Sequence, residues 1–201
     1  MTRLLAALLR ATRDLRDLGQ RWALVGGLAV SARAEPRTTR DVDLVVAVSG
    51  DSQAEKLVRN LRARGYTLVE HLEQDAAGRL ATVRFIAPGE DEGGVLVDLL
   101  FASSGVEPEI VAQAEELEIA AGIALPIATT GHLIALKLLA RDDRLRPQDF
   151  DDLKALLREA NPADIGQARE ALQLIIARGY NRGRDDLLEQ LEQLVAKGAP
   201  Q

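Results

Sequence analysis

Two short segments decide the fold: WALVGG at residues 22–27 and DVDLVVAV at residues 41–48. Each contains an apolar run of strand length, and the glycine pair that ends the first run predicts a strand turning directly into a helix. Such a turn leaves the free N–H groups of the helix start open to a phosphate. Asp41 and Asp43 lie two residues apart, so an extended chain places both carboxylates on one face. The segments therefore predict an anion site beside two like charges, which a divalent cation would neutralise.

Composition narrows the chemistry that the chain can perform. The 201 residues suit one compact domain, or a core domain with a helical annex. The chain has no cysteine, which excludes disulfides, thiolate zinc sites and cysteine nucleophiles, and it has only two histidines. Oxygen ligands for a hard metal ion are therefore favoured.

The N-terminal apolar run, residues 4–9, is too short to span a membrane. Arg10, Arg13 and Arg16 follow it too early for a secretory signal. We therefore expect a cytoplasmic protein with no membrane partner.

Hydrophobic periodicity predicts an α+β fold, with a mixed β-sheet core flanked by helices and a C-terminal helical part. The three strand candidates between residues 66 and 101 predict an antiparallel meander. The predicted strands cover residues 22–25, 41–48, 66–70, 80–86 and 95–101, followed by a short extended segment at 119–127. The predicted helices cover residues 4–18, 27–34, 51–64, 108–116, 131–141, 147–158, 162–179 and 185–197. We divide the chain into a core with its N-terminal helix, 1–127, and a helical region packed on that core, 128–201.

A third carboxylate, Asp98, lies inside the most apolar strand, VLVDLLF at residues 95–101. Burying an unpaired carboxylate costs on the order of several kcal/mol, so Asp98 needs a partner or must stay protonated. A metal ion shared with Asp41 and Asp43 is the favoured partner. The alternative is an ion pair with an arginine on a neighbouring strand, such as Arg84.

Several cationic and polar residues suit a phosphate. Lys137 lies in an otherwise apolar helical stretch, which requires either an anion for its ammonium or a position at the edge of the helix. Arg37 and Arg40 either contact phosphate or balance the carboxylates. Ser31, one turn into the predicted helix, is a weaker candidate because a serine there usually caps the helix.

Three segments together carry a family resemblance: VGG at residues 25–27, RTTRDVDL at 37–44 and VDL at 97–99. Their order resembles the signature of the polymerase-β-like nucleotidyltransferase superfamily. Within it, the sequence is most similar to the AbiEii-type abortive-infection toxins of type IV toxin–antitoxin systems. LIALKLLA at 133–140 and RPQDFDDL at 146–153 resemble the later helical motif of that family.

The resemblance implies a nucleotidyltransferase core and a role for each matching residue. Gly26 and Gly27 would hold the β- and γ-phosphates of a nucleoside triphosphate. Asp41 and Asp43 would bind two Mg²⁺ ions, and Asp98 the ion that activates the acceptor hydroxyl; Mn²⁺ is an alternative metal. Two metal ions flanking a phosphoryl group stabilise both the entering and the leaving oxygen, which explains a site with three carboxylates.

The resemblance also implies that Lys137 contacts the triphosphate, with Asp149 or Asp152 nearby. The predicted catalytic residues are Asp41, Asp43, Asp98 and Lys137. The predicted nucleotide-binding residues are Gly26, Gly27, Ser31, Arg37, Arg40, Lys137, Asp149 and Asp152.

The predicted function is the transfer of a nucleoside monophosphate from a triphosphate to an acceptor hydroxyl. The resemblance points to an RNA 3′ end, especially that of tRNA, as the acceptor and to a cognate antitoxin as a protein partner. One alternative is an enzyme that modifies a small antibiotic or a protein. Another is a catalytically silent module that binds a nucleotide or a partner, against which the three intact aspartates weigh.

Overall fold

The computed structural model describes residues 2–74, 79–89, 93–141 and 147–198. The described strands are β1 Arg21–Val25, β2 Asp41–Ala47, β3 Thr67–Gln74, β4 Arg79–Ile86, β5 Leu96–Leu100, β6 Glu115–Ala120 and β7 Ile123–Ile127. The described helices are α1 Arg3–Asp17, α2 Gly26–Arg33, α3 Asp51–Ala63, α4 Glu107–Gln113, α5 Thr130–Ala140, α6 Pro147–Glu159, α7 Pro162–Ala177 and α8 Leu187–Gly198.

The strands form one mixed sheet in the order β3-β4-β5-β2-β1-β7-β6. Strand β2 runs parallel to β5, and β1 runs parallel to β7, whereas the other neighbours are antiparallel. The α+β fold and the antiparallel meander β3-β4-β5 are confirmed. Leu44, Val45 and Val46 are fully buried in β2, at the centre of the sheet, so burial on both faces explains the continuous apolar run of this strand.

The sequence interpretation was wrong between residues 114 and 127. The helix predicted to reach residue 116 ends at Gln113, and the expected single extended segment is the hairpin β6-β7. Gly122 has a positive φ of 72°, which suits it to the tight turn. Strand β6 lies at the edge of the sheet, where glutamates can point to solvent. Its polar composition is also typical of the exposed face of a helix, which explains the wrong prediction.

Two of the C-terminal helices, α5 and α7, begin at side-chain caps. The Thr129 side chain accepts a hydrogen bond from the His132 N–H at the start of α5. Asn161 and Asp164 form a reciprocal capping box at the start of α7. Helix α5 packs against α6 and α7, and α2 contacts both α5 and α6. These contacts bring helical residues close to the aspartates of the central strands β2 and β5. The division at residue 127 stays a prediction.

Within the described ranges, no helix is both long and apolar enough to cross a membrane.

Candidate active site

Strand pairing brings four charged residues into one line across the sheet. Asp43 on β2 pairs with Asp98 on β5, Asp98 pairs with Arg84 on β4, and Arg84 pairs with Glu70 on β3. Residues directly opposite each other in a sheet share a face. We call Asp43, Asp98, Arg84 and Glu70 the charged row. Asp41 lies two residues before Asp43 and therefore on the same face.

Asp98 is paired with an arginine in this structure. Arg84 donates from Nε to Asp98 Oδ1 at 2.8 Å and from Nη2 to Oδ2 at 2.7 Å, a bidentate ion pair. This hydrogen bond raises the pKa of Arg84 above its usual range. Asp98 is only 7% exposed, so the pair compensates a buried charge. The structure thus shows the contact that the sequence left as the alternative to a metal.

The surroundings of Asp43 disfavour the charged form of its carboxyl group. Burial of its carboxyl group, followed by repulsion from Asp98 and Asp41, raises its pKa to about 7, although Lys137 and Arg84 oppose the shift. The carboxylates at this end of β2 and β5 therefore carry more negative charge than their protein surroundings compensate. Such a site favours a cation.

The glycine turn fits closely against the carboxylates. Gly26 starts α2 immediately after β1 and has a φ of +65°. A Cβ at Gly26 would clash with the Asp43 carboxylate, and a Cβ at Gly27 would lie 2.7 Å from Arg37 Nη2 and 2.8 Å from Thr39 Oγ1. The glycine pair is therefore required so that the start of α2 can approach Asp43 and Arg37.

A second charged cluster lies beneath one wall of the site. Arg37 Nη2 donates to Asp152 Oδ2 at 2.8 Å, and Lys137 Nζ lies 2.7 Å from Asp149 Oδ1 and 2.8 Å from Asp152 Oδ2. We call Arg37, Lys137, Asp149 and Asp152 the buried network. The side chains of Lys137 and Asp152 are 11% and 2% exposed. Lys137 thus has the anionic partners that its apolar helix required.

Helical spacing explains which aspartates of α6 join the network. Asp149 and Asp152 are three residues apart and share a face, whereas Asp151 points elsewhere and is 72% exposed in its surface pair with Lys154. Asp149 Oδ2 is buried and has no hydrogen-bond partner among the described residues. The network therefore keeps an unused acceptor next to the cleft.

A cleft of about 980 Å³ connects the glycine turn, the charged row and α5. Nine of the predicted site residues line it: Gly26, Gly27, Arg37, Arg40, Asp41, Asp43, Asp98, Lys137 and Asp149.

Two predicted nucleotide-binding residues are not part of the lining. Ser31 Oγ donates to the Gly27 carbonyl at 2.9 Å and accepts from the Arg37 N–H at 3.2 Å. Asp152 lies under Lys137 and Arg37. The structure therefore gives both residues contacts that hold cleft residues in position.

The cleft also contains residues that the sequence did not single out. Ser103 and Ser104 follow β5, and Glu107 accepts hydrogen bonds from the hydroxyls of both and from the Ser104 N–H. Arg182, in the loop between α7 and α8, donates to the Ser103 carbonyl at 3.3 Å and also lines the cleft. Arg182 has a φ of +56°, a conformation that is uncommon for any residue except glycine. No local pattern predicts it, because the loop joins the site only through tertiary packing.

The donors at the charged row suit a divalent cation. Asp41, Asp43 and Asp98 offer the hard carboxylate oxygens that Mg²⁺ prefers, and burial first, then the like charges of Asp98 and Asp41, raises the pKa of Asp43. Among the described residues, no group of three acidic or histidine side chains is already arranged around a metal position. At the charged row, both Asp98 oxygens accept hydrogen bonds from Arg84.

The fold is similar to that of nucleotidyltransferases of known structure. A nucleotidyltransferase-like protein from Paracoccidioides brasiliensis is 21% identical, with 94% of this chain and 92% of that chain covered and a TM-score of 0.53. The antibiotic-resistance factor ANT(2'')-Ia is 17% identical, with 96% and 89% covered and a TM-score of 0.50. A comparison with curated proteins gave no match.

The chain belongs to the AbiEii family of nucleotidyl transferase toxins of type IV toxin–antitoxin systems, whose sequence profile matches residues 7–200. The protein is therefore a nucleotidyltransferase enzyme, and the family resemblance is confirmed. Members of this family use nucleotide substrates, generally with divalent metal ions.

Proposed function

We propose that the protein transfers a nucleoside monophosphate from a nucleoside triphosphate to the 3′ hydroxyl of an RNA, with tRNA as the first candidate, in a Mg²⁺-dependent reaction. One observation carries the proposal: the glycine turn at the end of β1 lies against Asp43 and lines a single cleft together with three carboxylates on β2 and β5. A phosphate turn and excess negative charge meet at one place, as phosphoryl transfer requires.

The triphosphate lies, in this proposal, at the start of α2. Gly26 and Gly27 line the cleft at the start of this helix, where free N–H groups and the helix dipole favour an anion. Arg37, Arg40 and Lys137 line the same cleft and supply positive charge. Because Arg37 and Lys137 are already paired within the buried network, their geometry is fixed before the nucleotide arrives.

Asp41, Asp43 and Asp98 would hold the metal, expected as two Mg²⁺ ions with Mn²⁺ as a substitute. Bound there, the metal would stabilise negative charge on the entering and leaving oxygens. The acceptor oxygen attacks the α-phosphorus, the bond from that phosphorus to the β-phosphate oxygen breaks, and pyrophosphate leaves. An Asp98 carboxylate oxygen takes the proton of the acceptor hydroxyl and passes it to solvent.

The sheet order supports an anionic acceptor. The glycine turn follows β1, whereas Asp98 and Arg84 lie on β5 and β4, on the far side of β2. In-line attack requires the acceptor to approach from the side opposite the leaving pyrophosphate, so it enters over β5 and β4. Arg182 lines the cleft beside Ser103, just after β5, and its positive charge matches the phosphodiesters of RNA better than a polycationic aminoglycoside.

The decisive experiment incubates the protein with Mg²⁺ and each α-labelled triphosphate in the presence of total tRNA, an aminoglycoside or no added acceptor. We expect labelled tRNA and no labelled aminoglycoside, with no product from periodate-oxidised tRNA, which lacks the 3′ hydroxyl. Label on the aminoglycoside or on the protein itself would identify that molecule, and not RNA, as the acceptor. No product with any acceptor would overturn transfer altogether.

A growth assay tests the toxin aspect of the proposal, with the cytoplasm as the expected site of action. Induced expression in a bacterium should arrest growth, and Asp43→Ala should abolish the arrest. Co-expression of a cognate antitoxin should restore growth. Unaffected growth with the wild-type protein would contradict a toxic role.

A further inference from the structure

Arg84 lies between two carboxylates in the charged row. Its strand pairs place Asp98 on one side and Glu70 on the other, all on one face of the sheet. Arg84 binds Asp98 through two hydrogen bonds of 2.7 and 2.8 Å, whereas its Nη1 lies 3.9 Å from Glu70 Oε2. The same guanidinium therefore has a close partner toward the cleft and a more distant one away from it.

The two partners differ in their surroundings. The Asp98 side chain is 10% exposed and lines the cleft, whereas the Glu70 side chain is 53% exposed on the strand at the edge of the sheet. The Arg84 side chain is itself 34% exposed. A guanidinium on a long, partly solvated side chain can change rotamers without moving its strand. Moving toward Glu70 would leave Arg84 with a carboxylate partner and free both oxygens of Asp98.

We propose that Arg84 is an exchangeable counter-ion: it occupies Asp98 while the carboxylate site is empty and moves to Glu70 when a divalent cation engages Asp98. This inference rests on the carboxylate site of the proposed function. It makes Arg84 and Glu70 positioning residues that act through Asp98. Arg84 prevents three neighbouring carboxylates from facing one another without a cation, and Glu70 lowers the free energy needed to release Asp98.

The exchange predicts opposite effects for the two partners of Asp98. Removing the competing cation with Arg84→Met should tighten Mn²⁺ binding by about fivefold or more, since the metal no longer displaces a bidentate ion pair. Removing the second partner with Glu70→Gln should weaken Mn²⁺ binding about threefold, because Arg84 then remains on Asp98. Arg84→Lys, which keeps the charge but loses the fork, should lie between wild type and Arg84→Met.

The measurement is Mn²⁺ affinity of the full chain without nucleotide, by electron paramagnetic resonance of the free ion, at one pH near neutrality. Arg79→Met is the matched control, because Arg79 lies on the same strand and pairs with the surface carboxylate of Asp51. This control removes one positive charge without touching Asp98. Thermal unfolding of every variant establishes that it is folded before its affinity is compared.

The double variant separates exchange from general electrostatics. If Glu70 acts by receiving Arg84, then Glu70→Gln should have no effect, within about twofold, in the Arg84→Met background. An equal loss of affinity in both backgrounds would show that Glu70 attracts the metal only through its charge, and the proposal would be wrong. Arg84→Met binding Mn²⁺ no more tightly than Arg79→Met would overturn it as well.

The metal measurements are independent of catalysis. Should no nucleotide be transferred while the Mn²⁺ affinities follow the expected pattern, the proposed function fails and the exchange stands. Transfer to RNA combined with unchanged Mn²⁺ affinity in Arg84→Met retains the function and rejects the exchange.

Discussion

The two charged clusters beside the cleft are built on opposite principles. The buried network sets two cations, Arg37 and Lys137, against two carboxylates, and all its members except Asp152 also line the cleft. The carboxylate end of the charged row, with Asp41 beside it, has three carboxylates against Arg84 and opens into the cleft. A cluster with equal numbers of positive and negative charges fixes the structure, because its ion pairs form only in one geometry. An unbalanced cluster at a cleft is stabilised when a ligand of opposite charge binds to it.

The strongest test of this difference is Asp43→Asn. We expect at least about a 10³-fold loss of nucleotide transfer, because the metal and the transition state lose a charged ligand. The same change should leave the protein no less stable, since it removes a carboxylate whose pKa is raised to about 7 by burial and by Asp98. Transfer rates and urea unfolding check the two expectations. A large loss of stability would show that Asp43 serves the fold instead.

Asp152→Asn should have the reverse profile. It leaves Arg37 and Lys137 buried with less negative charge, so the free energy of unfolding should fall by about 3 kcal/mol or more. Asp151→Asn, one residue away on the exposed face of α6, is the matched control and should change it by less than about 0.5 kcal/mol. Equal effects of the two changes in urea unfolding would contradict a structural role for the buried network.

His132 extends the comparison to a buried group on the same helix as Lys137. Burial lowers the pKa of His132 to about 4, although Glu109 opposes the shift, and its Nδ1 lies 2.9 Å from Thr129 Oγ1. In the unfolded chain His132 binds a proton below a pH of about 6.5, whereas in the folded protein it binds one only near pH 4. The free energy of unfolding therefore falls as the pH decreases through this window, by up to about 3 kcal/mol.

The corresponding measurement is urea unfolding as a function of pH for wild type and His132→Gln. Between these two pKa values, the free energy of unfolding should fall less steeply with decreasing pH in the variant than in wild type. Carboxylates contribute equally to both proteins. Parallel curves for the two proteins would mean that His132 protonates alike in the folded and unfolded chains.

Gly26→Ala probes the contact between the glycine turn and the charged row. The new Cβ would meet the Asp43 carboxylate at a φ of +65°, so we expect a loss of about 2 kcal/mol in stability together with reduced transfer. Gly166→Ala within α7 is the control, because a Cβ there meets nothing within 4 Å and should raise stability by about 0.5 kcal/mol. A harmless Gly26→Ala would show that Asp43 can leave the glycine turn freely.

Sequence patterns predicted those parts of the site that depend on neighbours along the chain. The glycine pair that ends β1 and the two-residue spacing of Asp41 and Asp43 fix a turn and a shared face through local geometry. The helix starts at Thr129 and Asn161 were likewise predictable, because capping is a contact within three residues. The hairpin β6-β7 was missed although Leu117 and Ile119 alternate with Glu116 and Glu118, because this alternation is short and glutamate is depleted in strands.

The partners of the charged groups required the folded chain. Arg84 and Asp98 are 14 residues apart, and their pairing depends on the register of β4 against β5 across a segment between them. Arg37 and Asp152 are 115 residues apart and meet because α6 packs against α2. Of the later helical motif, Arg146 lies outside the described residues. Local propensity carries no information about such distant pairs.

The sequence by itself therefore determined the class of chemistry: a phosphate turn, then paired aspartates, then a lone aspartate in an apolar strand. These features are set by backbone geometry and charge over a few residues. Only the tertiary structure decided which charges neutralise one another, placing Arg84 on Asp98 and enclosing Lys137 between Asp149 and Asp152. The physical reason is that the strength of an ion pair depends on distance and burial, and both arise from packing between elements remote in sequence.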